Sequence, residues 1–159
     1  MPLAYYVHDL NPIIVQVTES IALRWYGLSY VAAFFVGWWI LRLLIRRDYF
    51  ALPEDKLTDF VTYAALFGVL LGGRLGYMLL YDAENFFRDP LIILPFRKGG
   101  MSGMASHGGI AGLVLFTLVY ARIYKMSWTG LGDNLVVVAP LGIFFGRMAN
   151  FINGELYGR

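Results

Sequence analysis

The sequence predicts an all-α, polytopic membrane protein with four transmembrane helices and its N-terminus outside. Three observations carry that reading. Of 159 residues, 58% are hydrophobic and only 15% are charged, whereas a soluble domain usually carries about a quarter charged residues. The apolar residues gather into four blocks. Each block approaches the roughly 20 residues that a helix needs to cross the hydrocarbon core. This composition excludes a disordered chain, and a net charge of +2 is too small to imply a nucleic-acid partner. Without cysteine there is no disulfide framework, zinc–thiolate site or cysteine nucleophile.

The first block runs from Trp25 to Leu41 without a charge and is followed by Arg42, Arg46 and Arg47. It is long and aromatic, and no basic residue precedes Arg24, which sets it apart from a cleavable signal peptide. Leu52-Pro53-Glu54-Asp55-Lys56 breaks the helix and gives the second an acidic start. That second block, Phe60 to Tyr81, holds one charge, Arg74. Asp82 to Lys98, with Pro90 and Pro95 around apolar Leu91 to Leu94, reads as an outer interfacial segment. From Gly99 to Ala121 the titratable groups are His107 and Tyr120, and from Leu135 to Ile152 the single charge is Arg147. The expected spans are therefore 22–42, 59–81, 104–122 and 133–152, within a single transmembrane domain over 1–159. Glycines recur every four positions, at Gly68, Gly72 and Gly76, at Gly108 and Gly112, and at Gly142 and Gly146. In membranes that spacing lets helix backbones approach closely.

Basic residues orient the chain. With the N-terminus outside, Arg42, Arg46, Arg47, Lys56, Arg122 and Lys125 lie inside and only Arg88, Arg97 and Lys98 outside, the side expected to be poorer in Lys and Arg. Arg74 then lies roughly 10 Å below the outer end of the second span, at 1.5 Å per residue. Arg24, Tyr26, His107, Arg147, Asn150, Asn153 and Glu155 all fall in the same outer half.

An arginine at mid-membrane costs roughly 2.5–3.5 kcal/mol on insertion scales. No carboxylate lies inside any span to neutralise Arg74 or Arg147, but an anionic ligand could. Each residue also has a plainer role: Arg24 and Tyr26 as interface anchors, His107 as a helix-cap residue. Arg147 and Asn150 share a helix face at i, i+3, with Asn153 and Glu155 just beyond. The residues alone thus describe a polytopic protein with an outer-leaflet anion site. Either an enzyme or a non-catalytic anion- or lipid-binding protein or small transporter would fit.

The string from Gly146-Arg147-Met148-Ala149-Asn150 through Asn153-Gly154-Glu155 to Gly158-Arg159 resembles the signature of bacterial phosphatidylglycerol–prolipoprotein diacylglyceryl transferases. Leu23-Arg24-Trp25-Tyr26-Gly27 and Gly72-Gly73-Arg74-Leu75-Gly76-Tyr77 resemble that family's first- and second-span motifs. Gly99-Gly100-Met101-Ser102 and Ser106-His107-Gly108-Gly109 resemble its Gly-Gly-Met-Ser and His-Gly-Gly motif, with a longer spacing between Met101 and His107 than usual. The resemblance runs along essentially the whole chain, which corresponds to the N-terminal part of a larger family fold.

The resemblance implies transfer of the sn-1,2-diacylglyceryl group of phosphatidylglycerol to the lipobox cysteine thiol of a prolipoprotein, the first step of lipoprotein maturation. It implies catalytic roles for His107, Arg147 and Tyr26, and substrate-binding roles for Arg74, Arg147, Asn150, Asn153, Glu155 and Gly158. It implies no cofactor and no metal. The implied partners are phosphatidylglycerol, the prolipoprotein signal peptide and the bilayer, without nucleic acid. The implied location is the bacterial cytoplasmic (inner) membrane, with the active site toward the periplasmic side.

Overall fold

The computed structural model describes residues 8–16, 22–94 and 103–155. The order is β1 (Ile13–Gln16), β2 (Ala22–Arg24), α1 (Trp25–Arg46), α2 (Leu57–Tyr63), α3 (Leu71–Tyr81), α4 (Ala83–Arg88), α5 (Ser106–Tyr124) and α6 (Trp128–Ile152). A 3-10 turn (Glu54–Lys56) precedes α2, a π-helical stretch (Ala64–Leu70) joins α2 to α3, and a second 3-10 turn (Pro90–Ile93) follows α4. Among the described residues, four helices are long and apolar enough to cross a membrane: Trp25–Arg46, Glu54–Tyr81, Ser106–Tyr124 and Trp128–Ile152. The all-α, four-span expectation holds. Gly99 to Ser102 of the third motif and Gly158 of the signature lie outside the described residues.

The chain divides into two compact units, Met1–Leu43 with Val136–Arg159, and Leu44–Leu135. In the second unit, α3 and the π stretch run antiparallel to α5, and glycine makes the seam. A Cβ on Gly72 would stand 2.6 Å from the Gly108 carbonyl oxygen and 2.8 Å from Gly112 Cα. One on Gly68 would stand 3.0 Å from Leu113 Cα. These are backbone-to-backbone contacts, closer than any side chain allows, and in lipid such packing replaces the hydrophobic drive that water would supply. The four-residue glycine spacing is thus used at Gly68, Gly72, Gly76, Gly108 and Gly112. At Gly142 and Gly146 an added Cβ meets nothing within 4 Å among the described residues.

Toward the start of α2 the same unit builds an aromatic core. Phe60 is fully buried, with ring centroids 6.2 Å from Phe50, 5.8 Å from Phe116 and 4.9 Å from Tyr120. Leu52 and Leu57 close it. The turn between α5 and α6 is pinned by Trp128 Nε1, which donates to Thr117 Oγ1 at 3.2 Å, while that hydroxyl donates to the Val114 carbonyl at 2.9 Å. Arg46 pairs with Glu54 at 3.0 Å. Both side chains are largely exposed, so the pair adds at most about 1 kcal/mol.

In the first unit, β1 and β2 form an antiparallel ladder pairing Ile13 with Arg24 and Gln16 with Ala22, with an irregularity between Ile13 and Val15. Trp25 N–H donates to the Pro12 carbonyl at 3.2 Å, so α1 starts directly off this hairpin. The hairpin lies outside what the apolar blocks predict.

Gly72→Ala or Gly108→Ala should destabilise the protein in detergent by about 1–3 kcal/mol, the usual cost of overpacking. Gly142→Ala should leave the unfolding temperature unchanged or slightly raised. Thermal unfolding of the three variants side by side checks both outcomes.

Candidate functional site

The described signature residues, 146–155, occupy the last two turns of α6 and the turn that ends it. A helix leaves its last four carbonyls without intrahelical partners, and here each of the four finds a donor. Asn153 N–H reaches the Ala149 carbonyl at 2.9 Å, Glu155 N–H the Asn150 carbonyl at 2.8 Å, and Gly154 N–H the Phe151 carbonyl at 3.1 Å. His8 Nε2 reaches the Ile152 carbonyl at 3.1 Å. Gly154 has φ of +68°, the left-handed conformation that glycine adopts without steric cost. The crossed bonds from Glu155 and Gly154 make this a Schellman cap. Asn150-Phe151-Ile152-Asn153-Gly154-Glu155 is therefore an ordered helix end whose glycine is required by its geometry. The signal that finds Gly154 is a glycine directly after an apolar helical run.

Arg147 and Asn150, three residues apart on α6, stand N-terminal to this cap, and between them Ala149 is fully buried. Arg147 is exposed and, among the described residues, forms no ion pair; neither does Glu155. The Glu155 carboxylate sits just past a helix C-terminus, where negative charge is disfavoured by about 0.3–1 kcal/mol. The amide oxygen of Asn153 is buried and accepts no hydrogen bond among the described residues. Tyr26, also in this unit, stands at the start of α1 with its hydroxyl 3.5 Å from that of Tyr30 and the two rings 5.2 Å apart. Arg24 closes β2 opposite Ile13.

Arg74 and His107 belong to the second unit. The Arg74 guanidinium donates to the Gly103 carbonyl at 3.1 Å and to the Ile92 carbonyl at 2.9 Å. It thereby ties the 3-10 turn after α4 to the residues that lead into α5. That lead-in is held further by Ala105 N–H, which donates to the Gly73 carbonyl at 2.9 Å. Gly103, with φ of +84°, lies flat on the Tyr77 ring, where a Cβ would come within 2.5 Å of Cε1. His107 is the second residue of α5 and is exposed. Gly73, Arg74 and Tyr77, all of the second-span motif, hold the lead-in from which His107 starts. Among the described residues, no three His, Asp or Glu side chains cluster as metal ligands.

Gly154→Ala should cost about 1–2 kcal/mol, the penalty of the left-handed conformation, and Gly154→Asn less; unfolding in detergent measures both. Arg74→Ala removes the two carbonyl bonds that hold Ile92 and Gly103. Limited proteolysis should then nick the stretch from Asp89 to Ala105 several-fold faster than in the wild type.

Comparison with known proteins gives the same motifs a lineage. The family model described as prolipoprotein diacylglyceryl transferase matches residues 12–159. A phosphatidylglycerol–prolipoprotein diacylglyceryl transferase of Rickettsia felis is 42% identical over 151 residues, covering 95% of this chain and 56% of the relative. Its namesake in Rhodospirillum rubrum is 43% identical over 150 residues, 94% of this chain and 53% of the relative. Another in Bdellovibrio bacteriovorus is 43% identical over 155 residues, 96% of this chain and 44% of the relative. The chain spans about half the length of the curated relatives it matches. The match runs from the N-terminal hairpin through the capped end of α6, and on that extent and identity the chain belongs to the prolipoprotein diacylglyceryl transferase family.

Proposed function

We propose that this chain carries the membrane-embedded site of a phosphatidylglycerol–prolipoprotein diacylglyceryl transferase. It would form a single transmembrane domain that is the N-terminal part of the family fold. The observation that carries the reading is the family match over residues 12–159, joined to the ordered helix end formed by residues 150–155 of the signature. The N-terminus lies outside, in a bacterial inner membrane. The reaction draws on Tyr26, Arg147, Asn150, Asn153, Glu155 and Gly158, and on Arg74 and His107, all toward the outer leaflet. There a lipid headgroup and the cysteine just after a signal peptide's apolar segment would meet.

In the reaction, the cysteine sulfur attacks the glyceryl carbon that bears the phosphate ester. A C–S bond forms, the C–O bond breaks, and glycerol phosphate departs with the bonding pair. Charge grows on the phosphate, so the residue needed most is a cation that stays charged when partly desolvated. Arg147 fits: a guanidinium offers a planar fork to phosphate, and among the described residues no carboxylate engages it. Arg74 gives at least two of its N–H groups to Ile92 and Gly103. Its contribution is positive charge and a fixed frame for His107 more than an open fork.

The Asn153 amide oxygen can accept from a glycerol hydroxyl, and Asn150, Glu155 and Gly158 complete the headgroup contacts. Tyr26 supplies a phenolic donor to the same headgroup. His107 takes the thiol proton or orients the thiol. A free thiol has pKa about 8.5 and is already a few per cent thiolate near neutral pH, so the base accelerates the step without being indispensable.

Purified chain, phosphatidylglycerol and a lipobox peptide, followed by mass spectrometry, test the reading. A diacylglyceryl adduct is expected on the Cys peptide and not on its Ser counterpart. Arg147→Ala should lower the rate about 10²–10³-fold, the usual loss when a preorganised charge-stabilising donor is removed. His107→Gln should cost less, and undiminished transfer across pH 6–8 would move the activating role to the arginines. A folded protein that binds phosphatidylglycerol and yields no adduct would favour the non-catalytic anion-binding reading.

A further inference from the structure

The C-terminal cap of α6 is closed from outside the helix. Three of its four terminal carbonyls are met by backbone N–H groups of the turn itself. The fourth, on Ile152, is met by the imidazole of His8, a residue 144 positions earlier. A carbonyl oxygen only accepts, so Nε2 carries the hydrogen. The same ring stands edge-on to Phe151, centroids 5.6 Å apart at 79°. It also covers Gly154, where a Cβ would lie 3.2 Å from His8 Cδ2 and 3.3 Å from Nε2. One side chain thus touches three members of the signature turn: a carbonyl, a ring and the left-handed glycine.

From these contacts we infer that His8 is a positioning residue, a clamp that holds the turn bearing Asn153 and Glu155 in its capped form. The assignment of those two residues to headgroup binding rests on the function proposed above, but the clamp itself does not. The Ile152 carbonyl lies at the negative end of a 25-residue helix, where an N–H donor from a basic side chain is favoured. A side chain on Gly154 would press on the ring and make it give by a few tenths of an ångström. Hydrogen bond, ring edge and glycine therefore specify one placement of His8, and the turn loses all three contacts together when the imidazole is removed. Histidine is the fitting side chain because it brings an N–H about three bonds beyond Cβ together with a small ring that packs on Phe151 and Gly154. Glutamine can restore the N–H at a similar reach without the ring.

Hydrogen exchange on the full chain in detergent decides the matter, comparing wild type, His8→Ala and His8→Gln. In His8→Ala, the amides of Asn153, Gly154 and Glu155 should exchange about fivefold to tenfold faster, the loss of roughly one hydrogen bond with its contacts. The seam amides around Gly72 and Gly108 should not change, and His8→Gln should recover most of the protection. Unchanged exchange at residues 153–155 in His8→Ala would overturn the clamp, and so would an equal rise along all helices. The transfer assay adds a second readout: His8→Ala should lower kcat with little change in KM for the lipobox peptide, and His8→Gln should rescue it. Faster exchange with wild-type kcat would overturn the positioning role. A wild-type chain that makes no adduct, yet shows the exchange difference, would sink the transferase reading and leave the clamp standing.

Discussion

Two apolar helices in a bilayer gain little by touching each other instead of lipid, so the approach of α3 to α5 must come from surface shape. Glycine supplies it. With Gly72 set against Gly108 and Gly112, and Gly68 against Leu113, the two backbones meet without side chains between them. That contact fixes where α5 begins relative to α3. It also explains the tight lead-in: Ala105 can bond to the Gly73 carbonyl, and Gly103 can lie on Tyr77, only because α5 already stands so close. His107 inherits its position from this chain of contacts.

Polar groups in the two units follow a common rule, that a backbone carbonyl without a helical partner needs a donor. Arg74 meets the carbonyls of an irregular segment, Ile92 and Gly103, where helix geometry no longer does so. At the end of α6 the Schellman turn and His8 do the same. An arginine that looks like an unpaired charge in a linear sequence therefore has structural employment. Arg147 differs: it is exposed on α6 and, among the described residues, forms no ion pair.

Much of this was legible in the sequence. The four blocks became four helices because apolar length suffices to specify a spanning segment, and the four-residue glycine spacing became a seam where two such rows faced each other. Gly142 and Gly146 have the same spacing without the contact, since spacing reports what a helix permits and not what stands opposite. The hairpin escaped notice because Ile13–Gln16 is short and shows no apolar alternation, so only its partner strand defines it. The π stretch, Ala-Ala-Leu-Phe-Gly-Val-Leu, contains nothing that a regular helix would refuse. The string around Asn150 and Glu155 was readable as a motif, whereas its glycine-capped geometry could have been suspected from Gly154 alone. Contact between His8 and Ile152 has no local signature, because no pattern within either segment points to the other.

The π-helical turn in the second span has a bearing on how this chain tolerates changes in length. A π segment accommodates what is in effect one surplus residue within a helix. Removing one residue between Ala64 and Leu70 would allow the segment to relax to ordinary α geometry while the helix faces on either side stay aligned, because the wide turn is what absorbs that residue. Gly72 and Gly76 would still face α5, and Arg74 would keep the Ile92 and Gly103 carbonyls within reach. The second span therefore carries slack: the aromatic core at one end and the glycine seam at the other stay in register whether the surplus residue is present or lost.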